Sequence, residues 1–423
     1  MSLIHVDRYQ GAVKLLPLNF LQHVYLDSVA VGERYFFQMT NLQQRLAHRQ
    51  QQHLFRDRQT SEAGQGVYIR IGSQSFLNFS SNDYLGLAAD PRVSSACQKG
   101  MERYGVGAGA SHLITGHTAA HHHLEEELAQ FVGAERALLF STGYMANLAV
   151  ASVLLGRKDI LFEDKLNHAS LLDGARLSAA TIKRYPHSDT ARLASLLETA
   201  PSSCQKMIMS DGVFSMDGDL APVTELNSMA SRFNAWLLID DAHGLGVVGA
   251  TGGGSYELSG LKVSGNRILM GTLGKALGTF GAFVAGDSDI IELLIQEART
   301  YIYTTALPPC LAEATRESLR IVRQEPEKRD HLQKLITAFR RGAEELGLSL
   351  MSSETAIQPM VLGDSERALQ ASNSLRSKGI LVSAIRPPTV PVGTARLRIT
   401  LSALHDMSHV AKLLEALAEI PTS

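Results

Sequence analysis

The sequence predicts an α/β chain: a large domain built on a mostly parallel sheet, then a small α+β domain. Two observations carry this. Between about 88 and 317, short unbroken apolar runs alternate with helical patterns, and strands of that kind belong to a sheet covered on both faces. Beyond about 318 the strands become fewer and the helices longer. At 423 residues the chain has room for two or three domains.

Residues 1–38 mix apolar and aromatic side chains without a helical or strand period, and LLPLNFL is broken by Pro17 and Asn19. From Thr40 the signal clears. Thr40 and Gln43 have capping-box spacing, and Leu42, Leu46 and Leu54 share a face, which predicts a helix over 41–57. VYIRI (67–71) and SFLNF (75–79) form a strand pair turning at Gly72. Leu124, Leu128, Phe131 and Val132 make the stripe of an amphipathic helix. The strands ALLF (137–140), DILF (159–162), KMIMS (206–210), WLLID (236–240), RILMG (267–271) and GAFVAG (281–286) follow. The last part reads as a helix near 328–346, the strand AIQPMVLG, a helix over 364–378, ILVSAI, RLRITL and a final helix bearing Val410, Leu413, Leu414 and Leu417. The expected division is 1–38 as an extension, 39–87 packing with the small domain, 88–317 as the large domain and 318–423 as the small one.

Composition excludes several classes. Forty basic against forty-two acidic residues leave −2, so no nucleic-acid partner is expected. No run of 18 apolar residues suggests a membrane span, and MSLIHVDRYQ lacks the pattern of a secretory signal. Three scattered cysteines, Cys97, Cys204 and Cys310, suit a reducing cytosol, so a cytoplasmic location is expected.

Four motifs bear on chemistry. In TLGKALG, Lys275 follows a strand between two glycines. It reads either as a loop lysine or as one whose amine condenses with an aldehyde cofactor; a P-loop fails, because Leu269 and Ala276 stand where its glycine and hydroxyl would be. In WLLIDDAHG, Asp240 ends a buried strand and His243 follows three residues on. A carboxylate so placed can keep the ring nitrogen of pyridoxal phosphate protonated, worth roughly 4 kcal/mol at about 4 Å and an effective dielectric near 20. An acidic turn is the other reading; a metal pair lacks further ligands nearby, and no metal is expected. In STGYMAN, Ser141, Thr142 and Gly143 open a helix in the manner of a phosphate cradle or a plain cap. In NHAS, His168 could stack on a flat ring or be a loop histidine. GVGAGASHLITG (105–116) fails as a dinucleotide motif because a helix precedes it, and His121–His123 read as a solvated helix turn.

Together with FSSNDYLGL (79–87), GVFSMDGDLAP (212–222), DDAHGLGV (240–247) and IYTTALPP (302–309), these pieces resemble the α-oxoamine synthases, pyridoxal-phosphate enzymes of the aspartate-aminotransferase fold, fold type I. The resemblance covers about 40–423, and AIRPPTVPVGTARLRITL (384–401) is similar to the biotin-pathway branch. It implies pyridoxal 5'-phosphate as cofactor and a decarboxylating condensation of L-alanine with a pimeloyl thioester carried by coenzyme A or an acyl carrier protein. The alternative is a sibling reaction with glycine or another acyl group. It implies Lys275 as the cofactor-bearing lysine, Asp240 as its ring-nitrogen partner, His168 as the stacking ring and His243 as donor to the phenolic oxygen. Gly143, Tyr144, Ser215 and Thr272 match cofactor contacts, and Tyr144 stands where phenylalanine is also usual. Arg56, Asn82, His168, Arg386 and Thr389 match substrate positions. Thr304 and Thr305 match hydroxyls that reach the neighbouring subunit's cofactor phosphate, which implies a homodimer with shared sites. Residues 1–38 fall outside the resemblance, and Met39 sits where a start would be expected, so the stretch is expected to be dispensable.

Overall fold

The computed structural model describes residues 42–62 and 64–420. The chain divides into two units, 1–58 and 59–423. In the first, a helix spans 42–51 and stops short of the expected 57. His53 takes a left-handed backbone at φ 56°, and the N–H groups of His53 and Leu54 turn back onto the carbonyls of Gln50 and Arg49, which closes the helix. Thr40 and the 1–38 stretch lie outside the described residues.

The second unit begins with a hairpin of β1 (Tyr68–Ile71) and β2 (Gln74–Asn78). The main sheet has seven strands: β3 (Arg136–Phe140), β4 (Ile160–Asp164), β5 (Thr181–Tyr185), β6 (Lys206–Asp211), β7 (Trp236–Asp240), β8 (Arg267–Thr272) and β9 (Ala282–Gly286). Their order is β3-β9-β8-β7-β6-β4-β5. Only β9 runs against its neighbours, β3 and β8. Successive side chains point to opposite faces, and both faces are covered. Leu139, Phe162, Ile208, Leu237 and Phe283 enter one core with the helices Ala119–Val132 and Pro309–Gln324. Leu138, Leu161, Met207, Leu238 and Val284 enter another with the helices Gly143–Leu154, Ala169–Leu177 and Ser288–Glu297. Two buried faces are why these strands read as unbroken apolar runs. Strand β5, TIKRY, escaped that reading because it is an edge strand with only Tyr185 fully buried.

The later strands are β10 (Ile357–Gly363), β11 (Ile380–Leu381), β12 (Ser383–Ile385) and β13 (Ala395–Thr400). ILVSAI, expected as one strand, is split. Its first half pairs in parallel with β2, and its second half pairs with β13, which also pairs with β10. The His121–His123 run also differs from expectation. His121 is fully buried, because its Nδ1 accepts the Thr118 N–H at the helix start and its Nε2 meets the Leu307 carbonyl at 2.7 Å; only His122 and His123 are exposed. No described helix is long and apolar enough to cross a membrane.

Candidate active site

Strands β6, β7 and β8 are parallel neighbours, so their carboxyl ends open at one edge of the sheet, the edge where such sheets bind ligands. A cavity of about 210 Å³ lies there, lined by Gly143, Tyr144, His168, Ser215, Asp240, His243, Thr272 and Lys275 among others. These eight expected residues therefore converge from five separate stretches of chain.

Asp240 ends β7 and is buried. Its Oδ2 accepts from Asn147 Nδ2 at 2.7 Å and its Oδ1 from the Ala242 N–H at 3.0 Å, which fixes the carboxylate. The next residue, Asp241, points away from the cavity and accepts from the Ser255 hydroxyl at 2.8 Å and from its N–H. Glycines surround Asp241 for steric reasons: a Cβ on Gly212 would lie 2.6 Å from its Oδ1, and one on Gly244 would collide with the same oxygen. Asp211 ends β6 directly opposite Asp240 in register, and burial together with that neighbour pushes its carboxyl well above the ordinary value.

Lys275 sits on the turn between β8 and β9. Burial pulls its amine down to about 8, against the opposite pull of Asp240 and Asp211. Its Nζ lies 2.7 Å from His243 Nε2, and His243 Nδ1 lies 2.7 Å from the Tyr84 hydroxyl. Tyr84 in turn donates to Asn82 Oδ1 at 3.2 Å, which also accepts from Arg398 Nη1 at 3.1 Å. Burial and the charge of Lys275 hold His243 far below its ordinary pKa, so it is neutral. The network then assigns its protons: Nε2 accepts from Lys275, and Nδ1–H donates to Tyr84.

The helix Gly143–Leu154 begins at the cavity with Thr142 as cap, its hydroxyl accepting the Met145 N–H at 3.2 Å. The N–H groups of a first helical turn have no intrahelical partner and attract anions. His168 caps the helix Ala169–Leu177, with its Nδ1 held 2.8 Å from Ser170 Oγ and its ring exposed. The Thr272 hydroxyl donates to the Gly281 carbonyl at 3.0 Å, and the Ser215 carbonyl accepts from Arg398 Nε at 2.6 Å.

The remaining expected residues stand elsewhere. Asn82 joins the site through Tyr84 and Arg398. Arg386 and Thr389 lie on the loop between β12 and β13, closed by the Thr389 N–H on the Arg386 carbonyl at 3.1 Å, and they do not line the cavity. Thr304 and Thr305 do not line it either; Thr305 bridges to Ser111. Arg56 belongs to the first unit. Sequence reasoning missed Tyr84, Asn147, Asp211 and Arg398. Each was visible inside a quoted or neighbouring motif, but only folding joins them to Lys275 and Asp240.

The chain belongs to the aminotransferase class I and II family, whose sequence model matches residues 74–417. Along most of its length it is similar to 8-amino-7-oxononanoate synthase. To the protein of that name from Nitrosococcus oceani it is 56% identical over 375 residues, 89% of this chain and 99% of that one. Among solved structures, the 8-amino-7-oxononanoate synthase of Francisella tularensis superposes with a TM-score of 0.71 at 32% identity, covering 81% of this chain and 97% of that one. A serine palmitoyltransferase from S. paucimobilis, solved with a bound PLP–myriocin aldimine, gives a TM-score of 0.82 at 31% identity over 85% of this chain and 91% of that one.

Proposed function

We propose that this protein joins L-alanine to a pimeloyl thioester, giving 8-amino-7-oxononanoate, carbon dioxide and the free thiol, with pyridoxal 5'-phosphate as cofactor. One observation carries the reading: a half-buried lysine, its amine pulled down to about 8, shares a cavity with a fixed carboxylate, an exposed imidazole and an open helix start.

That donor set fits pyridoxal phosphate part for part. Lys275 would hold the aldehyde, Asp240 the ring nitrogen, His168 a ring face, and the first turn at Gly143 and Tyr144 the phosphate. When bound, the cofactor supplies an aldehyde for amines and a protonated ring that takes up electrons released at the α-carbon. The protein's own groups do the rest. Lys275 Nζ, near a pKa of 8, can take up and return a proton at neutral pH. Asp240, clamped by Asn147 and the Ala242 N–H, keeps a facing N–H protonated. Neutral His243 orients Lys275 and is itself oriented by Tyr84. Asn82, Arg386, Thr389 and Arg56 are assigned to the substrate side by family likeness, with Arg386 holding the alanine carboxylate by a two-bond fork.

The protein acts as a homodimer in the cytoplasm, with Thr304 and Thr305 serving the partner's cofactor phosphate. Exposed Val106, Leu113, Ile114 and Tyr303 support this, since they lie on two stretches joined by the Ser111–Thr305 bridge and by the Ala306 N–H on the Ala110 carbonyl. Exposed apolar side chains gathered in this way mark an interaction face.

The test is product mass after incubating the cofactor-loaded protein with alanine, glycine or serine and a pimeloyl or palmitoyl thioester. Only alanine with the pimeloyl thioester should give 8-amino-7-oxononanoate at a useful rate. Equal turnover of serine with palmitoyl thioester would replace this reading with the sibling one. Pimeloyl-coenzyme A and pimeloyl-acyl carrier protein, run side by side, identify the carrier.

A further inference from the structure

Away from the active site, the start of the helix Ala119–Val132 carries a concentration of ligating side chains that the reaction does not use. Among the described residues, two groups have the spacing to hold a metal ion: His112, His117 and His121, and His117, His122 and Glu125. The first is chemically spent. His121 Nδ1 accepts the Thr118 N–H at 3.0 Å, and its Nε2 meets the Leu307 carbonyl at 2.7 Å and so carries the proton. Neither nitrogen has a lone pair left for a cation.

The second group is different. His122 and Glu125 are three apart on the helix and share a face, and His117 stands just before the helix begins. One ligand atom from each lies within 4.8 Å of the others. Bonds of about 2.0–2.2 Å to zinc set neighbouring donors roughly 3–3.5 Å apart, so rotation of two exposed imidazoles closes the set. His117 and Glu125 already approach to 4.0 Å. Glu126 lies 3.4 Å from His122 Nε2 but falls outside both groups.

The neighbours hold these groups as outer partners of a metal site do. Glu125 Oε1 accepts the Leu139 N–H at 2.9 Å, which leaves its other oxygen facing His117. His117 Nδ1 pairs with His112 Nδ1 at 3.0 Å, which leaves Nε2 as the outward donor. The His112 ring stacks on Tyr301 at 5.0 Å and 12°. His112 itself belongs to a single π-helical turn, His112–Gly116, an irregularity frequent at functional sites. Glu125 has no lysine or arginine within ion-pairing distance among the described residues, although its side chain is only 13% exposed. Burial works against the charge of Glu125, Arg136 offsets this only from a distance, and a bound cation would favour the charged form. A cavity of about 490 Å³ bordered by His117, His122, Glu125 and Tyr301 gives an ion and its waters room; Leu113, on the proposed dimer face, borders its other side.

We propose that His117, His122 and Glu125 form a binding site for a first-row divalent transition-metal ion, of which zinc is the representative. Two imidazoles and a carboxylate suit that class and disfavour magnesium and calcium, which prefer all-oxygen sets.

The probe is zinc chloride, titrated into cofactor-loaded protein by calorimetry and checked by equilibrium dialysis. Wild type should bind one ion per chain. His122→Ala and Glu125→Gln should each weaken binding at least tenfold, and the double substitution His117→Ala/His122→Ala should abolish it. His123→Ala is the control, an exposed histidine beside the site but outside both groups, and it should bind as wild type does. Thermal melts without metal show that each variant is folded, and His122→Ala is safe because its side chain is exposed. The proposal is overturned by wild type that takes up no zinc at micromolar concentration. It is equally overturned by uptake that survives the double substitution, by equal losses in His122→Ala and His123→Ala, or by loss in a His112→Ala variant while His122→Ala still binds.

Discussion

At Lys275, the low-dielectric surroundings act against the two carboxylates that would keep the amine charged, and they win, leaving it near 8. Lys275→Ala should therefore take up cofactor without the visible absorption of a covalently held aldehyde, and turnover should vanish. A variant keeping that band until denatured would show that another amine does the work. Tyr84→Phe tests the chain of hydrogen bonds behind it. The change leaves the buried His243 Nδ1–H without its partner at 2.7 Å, a loss of about 1–3 kcal/mol. The expected result is a 5- to 150-fold fall in kcat/KM with the fold intact by circular dichroism. An unchanged rate would mean that His243 is oriented some other way.

At the scale of elements, His187 ties two strand ends to the hairpin that carries Ser215. Its Nδ1 lies 3.1 Å from Asp164, at the end of β4, and its Nε2 2.8 Å from Asp219, with the Phe214 ring edge-on at 4.4 Å. Burial alone would lower its pKa, but the bonds and charges of Asp164 and Asp219 outweigh that and raise it to about 10. A raised histidine stabilises the fold fully below its unfolded value, near 6.5, and loses that contribution as pH rises through about 10. The shift corresponds to an upper limit of about 5 kcal/mol, and to about 2–3 kcal/mol once water around the partly exposed ring is allowed for. Urea unfolding should show wild type losing that much between pH 7 and pH 10. His187→Gln should be weaker at pH 7 and nearly flat over the same range; parallel curves would remove the clamp.

The same scale shows what the sequence makes legible. Six of the seven main strands read directly because their two buried faces leave no polar residue to interrupt them. Strand β5 did not, since Lys183 and Arg184 interrupt its apolar run on an edge, where Arg184 reaches the Lys165 carbonyl at 2.7 Å and Glu163 at 3.5 Å. ILVSAI looked like one strand because nothing local says that Ile380 and Ser383 join different sheets. Lys275, Asp240 and His168 were legible because their positions after strands have few structural uses. Tyr84 and Arg398 were not, because what they do depends on a partner more than a hundred residues away. His121 was misread because a run of histidines looks polar wherever the helix happens to face.

In the proposed dimer each site draws its lysine from one chain and its two threonines from the other. Lys275→Ala and a Thr304→Ala/Thr305→Ala variant should each be inactive or nearly so alone. Mixed and allowed to exchange subunits, they should regain part of the activity, because one of the two sites in a mixed dimer then has an intact lysine from one chain and intact threonines from the other. Mixed dimers verified by tagged purification yet still inactive would place both groups in a single chain.

The reversed strand β9 has a consequence for how the protein is made. Strand β3 pairs only with β9 in the main sheet, and β9 arrives roughly 140 residues later. At 5–20 residues per second, that is a wait of about 7–30 s on the ribosome. During it the backbone N–H and C=O groups of Arg136–Phe140 have no strand to pair with, although Leu139 can already pack on the helix Ala119–Val132. Nascent chains arrested before Ala282 should be cut by protease within Arg136–Phe140 and held by chaperones, whereas chains arrested after the exit of Gly286 should resist. The strand that leads into the Gly143 helix is thus the first of the main sheet to be synthesised and among the last to gain its partner.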